Sequence, residues 1–182
     1  LALIISMFVI GIIKSPKVIL IIISIFVLAF FSVNQVRDRI AGAFAVDDTA
    51  NARIESWQKA ITITRNNPLF GVGFNTYRFA QAKYNFFTPQ DPLGGHSGAG
   101  SDSSFLFVAA TTGFFGLIFF LILNLTIIKN FTKGSRENYL KLASIASFAG
   151  IIVHTQFVNS FFFPQTMLLL WFIIGLNLIY ED

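Results

Sequence analysis

Three short stretches hold the residue types from which chemistry can be built. In Asn51-Ala52-Arg53-Ile54-Glu55-Ser56-Trp57, helical spacing puts Arg53 and Trp57 one turn apart on the same face. A guanidinium there is suited to two-pronged capture of a phosphate. The same pattern also describes a solvated arginine beside a buried tryptophan. In Asn67-Pro68-Leu69-Phe70-Gly71-Val72-Gly73-Phe74, Pro68, Gly71 and Gly73 predict a tight turn. Its backbone amides can hold an anion, but no Lys-Ser/Thr pair follows, so it is not a P-loop. A turn resting on a membrane surface is the plainer reading. In Ser101-Asp102-Ser103-Ser104, Asp102 stands just before a long apolar run. It can orient or deprotonate a hydroxyl, or simply cap the helix that follows. His96, six residues earlier in a Gly-rich stretch, is a second proton acceptor that can approach the same place.

These residues sit in a chain that is otherwise strongly apolar. Of 182 residues 54% are hydrophobic and 12% charged, with 23 Phe. Soluble domains carry about 25% charged residues, so a soluble globular enzyme and a disordered chain are both excluded. With no Cys there is no disulfide and no thiol nucleophile. The two histidines, His96 and His154, do not form a zinc-type cluster. No metal or cofactor is expected.

The apolar runs set the layout. Runs at 18–33, 104–128, 142–163 and 165–180 approach or reach the roughly 20 residues of a membrane span, and 1–13 resembles the end of another. The chain begins on Leu1, within that run, so it is expected to be the C-terminal part of a longer protein with further spans upstream. The organisation expected is two spans in 1–33 joined by a basic turn, an outer segment 34–103, and three spans in 104–182 joined through 129–141. Lys14, Lys17, Lys129, Lys133, Arg136 and Lys141 crowd the two short connectors, which the positive-inside rule assigns to the cytoplasm. The segment 34–103 then lies outside, and the C-terminus inside. The net charge of +4 is thus mostly a topology signal, and no nucleic-acid partner is implied. The fold class expected is an all-α, polytopic helical bundle with one large extracytoplasmic loop. Inside that loop, 49–65 and 77–86 read as short helices, ended by Asn66-Asn67-Pro68 in the first case. Gly113 and Gly116 suggest close helix packing, and His154, Gln156 and Asn159 suggest hydrogen bonds between helices.

The order Arg53-x-x-x-Trp57, then Asn67–Phe74, then the polar-to-Phe105-Leu106 start of a Gly113-x-x-Gly116 span resembles the bacterial O-antigen ligase and polymerase family. The motifs cover 53–117, and the layout of one large loop between spans extends the likeness further. That resemblance implies transfer of glycan units from an undecaprenyl-diphosphate carrier to an acceptor glycan or glycolipid at the outer face of the inner membrane, without a cofactor. It implies that Arg53 holds the diphosphate, with Arg37, Arg39 and Arg78 as neighbouring cations. Asp102-Ser103 stands where the ligase branch carries His-Asn, which leans toward polymerase-like members. Asp102 and His96 are the acid–base candidates. A transporter or flippase, and a non-catalytic sensor with a ligand-binding outer loop, are the competing functions.

Overall fold

The computed structural model describes residues 1–43, 47–87 and 98–179, with the side chains at 39–41 and 43 outside that description. Among the described residues the chain is helical, with no strand. The helices are α1 Ala2–Lys14, α2 Pro16–Ser32, α3 Asn34–Ala43, α4 Asp48–Asn66, α5 Tyr77–Lys83, α6 Ser104–Thr132, α7 Tyr139–His154 and α8 Pro164–Ile179. A 3₁₀ turn at Ser160–Phe162 separates the last two. Among them, α6 alone is long and apolar enough to cross a membrane. Helices α1, α2, α7 and α8 are apolar and have 17 residues or fewer.

Local chemistry explains the boundaries. Ser15 accepts a hydrogen bond from the Lys17 N–H (3.3 Å), and Pro16 sits at the start of α2. Capping and a preset proline φ shrink the connector to one residue. Asp47 caps α4 through the Ala50 N–H (2.7 Å), and Asn67 closes it. The apolar run 142–163 is not one helix. It stops at His154, turns through Ser160–Phe162 and restarts at Pro164, whose missing N–H suits a helix start. Lys14 Nζ donates to the Arg136 carbonyl (2.9 Å) and lies 4.5 Å over the Tyr139 ring. Both short basic connectors therefore meet at one end of the helices.

Helix α6 is broken. Gly113 has φ 67° and ψ −163°, a conformation that an L side chain rarely adopts. Phe105 and Phe120 show how sharply the two parts fold together. Their ring centroids are 5.4 Å apart, whereas fifteen residues of straight helix would span about 22 Å. Gly113 is thus an elbow, and not the close helix-packing position that its spacing to Gly116 suggested.

The break is filled by the Pro-Gly loop between α4 and α5. The Val72 N–H donates to the Ala110 carbonyl (3.0 Å) and the Gly73 N–H to that of Thr111 (2.8 Å). In return the Phe114 N–H donates to the Pro68 carbonyl (2.8 Å). The loop therefore caps the end of one half of α6 and the start of the other. A Cβ at Gly113 would lie under 3.0 Å from the Leu69 and Phe70 backbone, and one at Gly71 under 3.0 Å from Thr111 and Thr112.

Two cores follow. In one, Ala60, Ile63, Tyr77 and Ala80 of α4 and α5 pack on Phe107 and Ala110 of the first half of α6. In the other, Ile127 and Phe131 of the second half pack with Ile145 and Phe148 of α7, Phe161 and Leu170. Asn177 of α8, fully buried, donates to Ser144 Oγ of α7 (2.8 Å), the kind of polar link that joins apolar helices.

Gly113→Ala is expected to lower stability by about 1–3 kcal/mol from backbone strain and by more from the clash. Gly134 also has a positive φ (75°), but nothing lies within 4 Å of its Cβ position. Gly134→Ala should therefore show the strain alone. Thermal unfolding of both variants in detergent separates the two effects.

Candidate functional site

The segment 98–104 is where α4, α5 and α6 converge, and it is held from several sides. The Asp102 N–H donates to Ser56 Oγ (2.9 Å), and the Trp57 indole N–H donates to the Asp102 carbonyl (3.3 Å). Adjacent residues of α4 thus fix both backbone groups of Asp102. The Trp57 ring packs against Phe157, with centroids 6.0 Å apart. From α5, Gln81 donates to the Gly98 carbonyl (2.9 Å) and is fully buried. Tyr77, one turn earlier on the same face, is 1% exposed.

The Tyr77 phenol sits among Ser101 and Asp102. Burial pushes it well above the ordinary tyrosine value, the Ser101 hydroxyl draws it partly back, and the Asp102 charge pushes it up again. The phenol therefore holds its proton to a higher pH than an ordinary tyrosine.

Ser103 is the residue that caps α6, accepting from the Leu106 N–H (3.4 Å). The simple capping role available to Asp102 thus belongs to its neighbour. Asp102 is only 8% exposed. With Gly100, Ser101, Asn159, Val158, Phe163 and Ala99 it lines a cleft of about 280 Å³. Behind it, Ser104 Oγ donates to Asn159 Oδ1 (2.9 Å), accepts from Thr155 Oγ1, and accepts from the Phe161 N–H (3.3 Å). This ties the start of α6 to the turn after α7. Asn159 therefore does bond across elements. Gln156 instead donates to the Ile152 carbonyl (3.0 Å), and His154 meets Ser160.

The cations are distributed unevenly. Arg53 is half-buried on α4, one turn before Trp57. Its charge, behind the hydrogen bonds from Ala50 and Thr49, helps hold the Asp47 carboxyl below the usual range. Arg78 is exposed on α5, next to Tyr77. Arg37 lies on α3 and donates to Asn34 Oδ1 (2.7 Å), a local bond. The Arg39 side chain and His96 lie outside the described residues. Pro68, Gly71 and Gly73 form the loop at the α6 break, where the Val72 and Gly73 amides already serve carbonyls of α6. That loop is a structural piece, and its amides are committed within the protein rather than offered to an anion. A cleft of about 310 Å³ lies beside it, lined by Asn67, Thr76, Lys83 and Tyr84. Asn67 Nδ2 donates to the Ile63 carbonyl (3.0 Å) and Tyr84 Oη (3.1 Å).

A family model described as O-antigen ligase matches residues 1–121, a stretch that contains Arg53, the Pro-Gly loop, Asp102 and the elbow. The chain belongs to the O-antigen ligase family. No curated protein and no solved structure matches it. Membership makes it a membrane protein of surface-polysaccharide biosynthesis with glycan-transfer activity on lipid-linked substrates. In this family member the segment 98–104 meets α4 through the Asp102 backbone and α5 through Gln81.

Ser56, Tyr77 and Gln81 were not legible as site residues in the sequence. The one available signal was the four-residue spacing of Tyr77 and Gln81 on a short helix. The protein has four tyrosines. In an ultraviolet titration Tyr77 should stay protonated at a pH where ordinary tyrosines, near 10.0, have ionised. Tyr77→Phe should remove that resistant fraction. Equal titration of every tyrosine in wild type would contradict the buried phenol. Because its folded value is raised, the stability that Tyr77 provides is complete below pH 10 and lost as pH climbs toward that folded value.

Proposed function

We propose that the protein transfers or polymerises glycan units from an undecaprenyl-diphosphate carrier at the 98–104 cleft. The observation that carries this reading is the fixing of Asp102, by Ser56 and Trp57, to the same helix that bears Arg53. An acceptor hydroxyl in the cleft attacks the anomeric carbon of the carrier-bound glycan. The new glycosidic bond forms as the bond from that carbon to the phosphate oxygen breaks. The hydroxyl proton passes to the Asp102 carboxylate, as general-base catalysis requires. The departing diphosphate keeps the bonding pair, and Arg53, with Arg78 at the rim, meets its growing charge. The phenol of Tyr77 stays protonated throughout.

The membrane arrangement proposed is a polytopic bundle with 34–103 outside and the C-terminus in the cytoplasm. Its support is the meeting of Lys14 with Arg136 and Tyr139, which gathers both basic connectors at one end, opposite the Asp102 cleft.

In the complete protein Arg53→Ala should abolish transfer from a lipid-linked glycan at equal membrane abundance. Asp102→Asn, nearly the same size, should slow it by about 10²–10⁴-fold, the range for loss of a general base. Each is measured with radiolabelled lipid-linked glycan in reconstituted vesicles. Full activity of either variant removes the role assigned to that residue.

A further inference from the structure

Helix α6 divides at Gly113 into two stretches with opposite surroundings. In 104–112, Ser104, Phe107, Val108, Ala109, Ala110 and Thr111 are buried, with Phe107 and Ala110 packed on α4 and α5. In 114–132 the large apolar side chains of one face are bare: Phe115 is 45% exposed, Phe119 71% and Ile122 53%. These recur at helical spacing, so they form one stripe. The second stretch has 15 residues before Lys129, about 22 Å of helix against a hydrocarbon thickness of about 30 Å, and the long Lys129 side chain extends its reach toward the headgroups. With 114–132 as the crossing part, the elbow stands near the membrane–water boundary, and the first half folds back there, Phe105 meeting Phe120.

The bare stripe does not stop at the elbow. Phe70, from the Pro-Gly loop, packs on Phe115 with centroids 5.5 Å apart and is itself 73% exposed. Leu69, whose backbone fills the break, is 54% exposed, and Phe114 is 56% exposed. Leu69 and Phe70 of the loop and Phe114 of α6 are large apolar side chains presented outward where the Pro68 and Leu69 carbonyls accept from the Phe114 and Phe115 N–H groups. We infer that Leu69, Phe70, Phe114 and Phe115 form a membrane-seated foot, which dips into the acyl-chain margin of the leaflet on the loop side and fixes the outer layer at headgroup depth. The occupant is lipid, because the patch continues the lipid-facing stripe of α6 without a gap. Aromatic side chains are favoured at that depth, and an apolar face buried about 5–10 Å there gives appreciable binding. The consequence is positional: α4 and α5, packed on 104–112, are held against the leaflet on the loop side. The foot rests on α6 crossing the membrane and not on the chemistry proposed at Asp102, so an active Asp102→Asn variant would leave it intact.

The natural absence of cysteine allows a direct test. Phe70→Cys and Leu69→Cys are made separately in the complete protein, labelled with an environment-sensitive fluorophore and reconstituted in phosphatidylethanolamine–phosphatidylglycerol vesicles. Phe119→Cys is the reference within the span and Gln58→Cys, on the exposed face of α4, the reference in water. A lipid bearing a nitroxide just below its headgroup should quench the labels at 69 and 70 about threefold or more above the label at 58, with iodide showing the reverse order. Labels at 69 and 70 that follow position 58 would overturn the foot. Labels shielded from both quenchers would also overturn it, since they would show a protein partner or a second copy on this surface.

Discussion

The structure depends on one exchange of backbone hydrogen bonds. Where α6 breaks at Gly113, Ala110 and Thr111 lose their helical partners on one side and Phe114 and Phe115 on the other. An unsatisfied peptide group near a bilayer costs several kcal/mol, so the break survives only if another backbone fills it. The loop 68–73 does so in both directions. Glycine at 71 and 113 lets two main chains approach where side chains would collide. Once that exchange is made, α4 and α5, which flank the loop, have nowhere to rest but on the first half of α6. The outer layer is thus fixed to the membrane helix by its main chain, and side-chain packing then completes it.

From there the site follows. The first half of α6 begins at Ser104, so the preceding residues enter between α4 and α5. Ser56 and Trp57 take the backbone of Asp102, Tyr77 and Gln81 support the stretch from the other helix, and Ser104 ties it to the turn after α7. In the proposed reaction, a backbone held on both sides by α4 gives the Asp102 carboxylate a defined starting point for orienting a hydroxyl. The arginine that the family resemblance singles out lies on the same helix that holds Asp102. A shift of α4 would therefore move both groups together.

Much of this was legible in the sequence, for physical reasons. The lack of charge and the apolar runs predicted an all-helical membrane chain. The period of Ile54, Trp57 and Ile61, with Asp47 before and Pro68 after, located α4 almost to the residue, because caps and proline act locally. What escaped was nonlocal. Gly113-x-x-Gly116 reads as a packing motif, since nothing in the spacing reveals that residues 68–73 will occupy a gap there. The long run 142–163 reads as one helix because its apolar character hides the turn that Asn159, Ser160 and Pro164 impose. Helix α3 was missed because its polar residues show no buried face. Asp102 read equally well as a cap or a reacting group. The cap of α6 falls to Ser103.

The central claim is that Arg53 and Asp102 serve one substrate at one cleft. It is tested most directly by determining the structure of the complete protein in lipid nanodiscs with a bound undecaprenyl-diphosphate glycan. The account predicts the diphosphate within hydrogen-bonding distance of the Arg53 guanidinium, about 2.7–3.2 Å, and the anomeric carbon facing the Asp102 cleft. A diphosphate held elsewhere, with Asp102 turned away from the sugar, would contradict it.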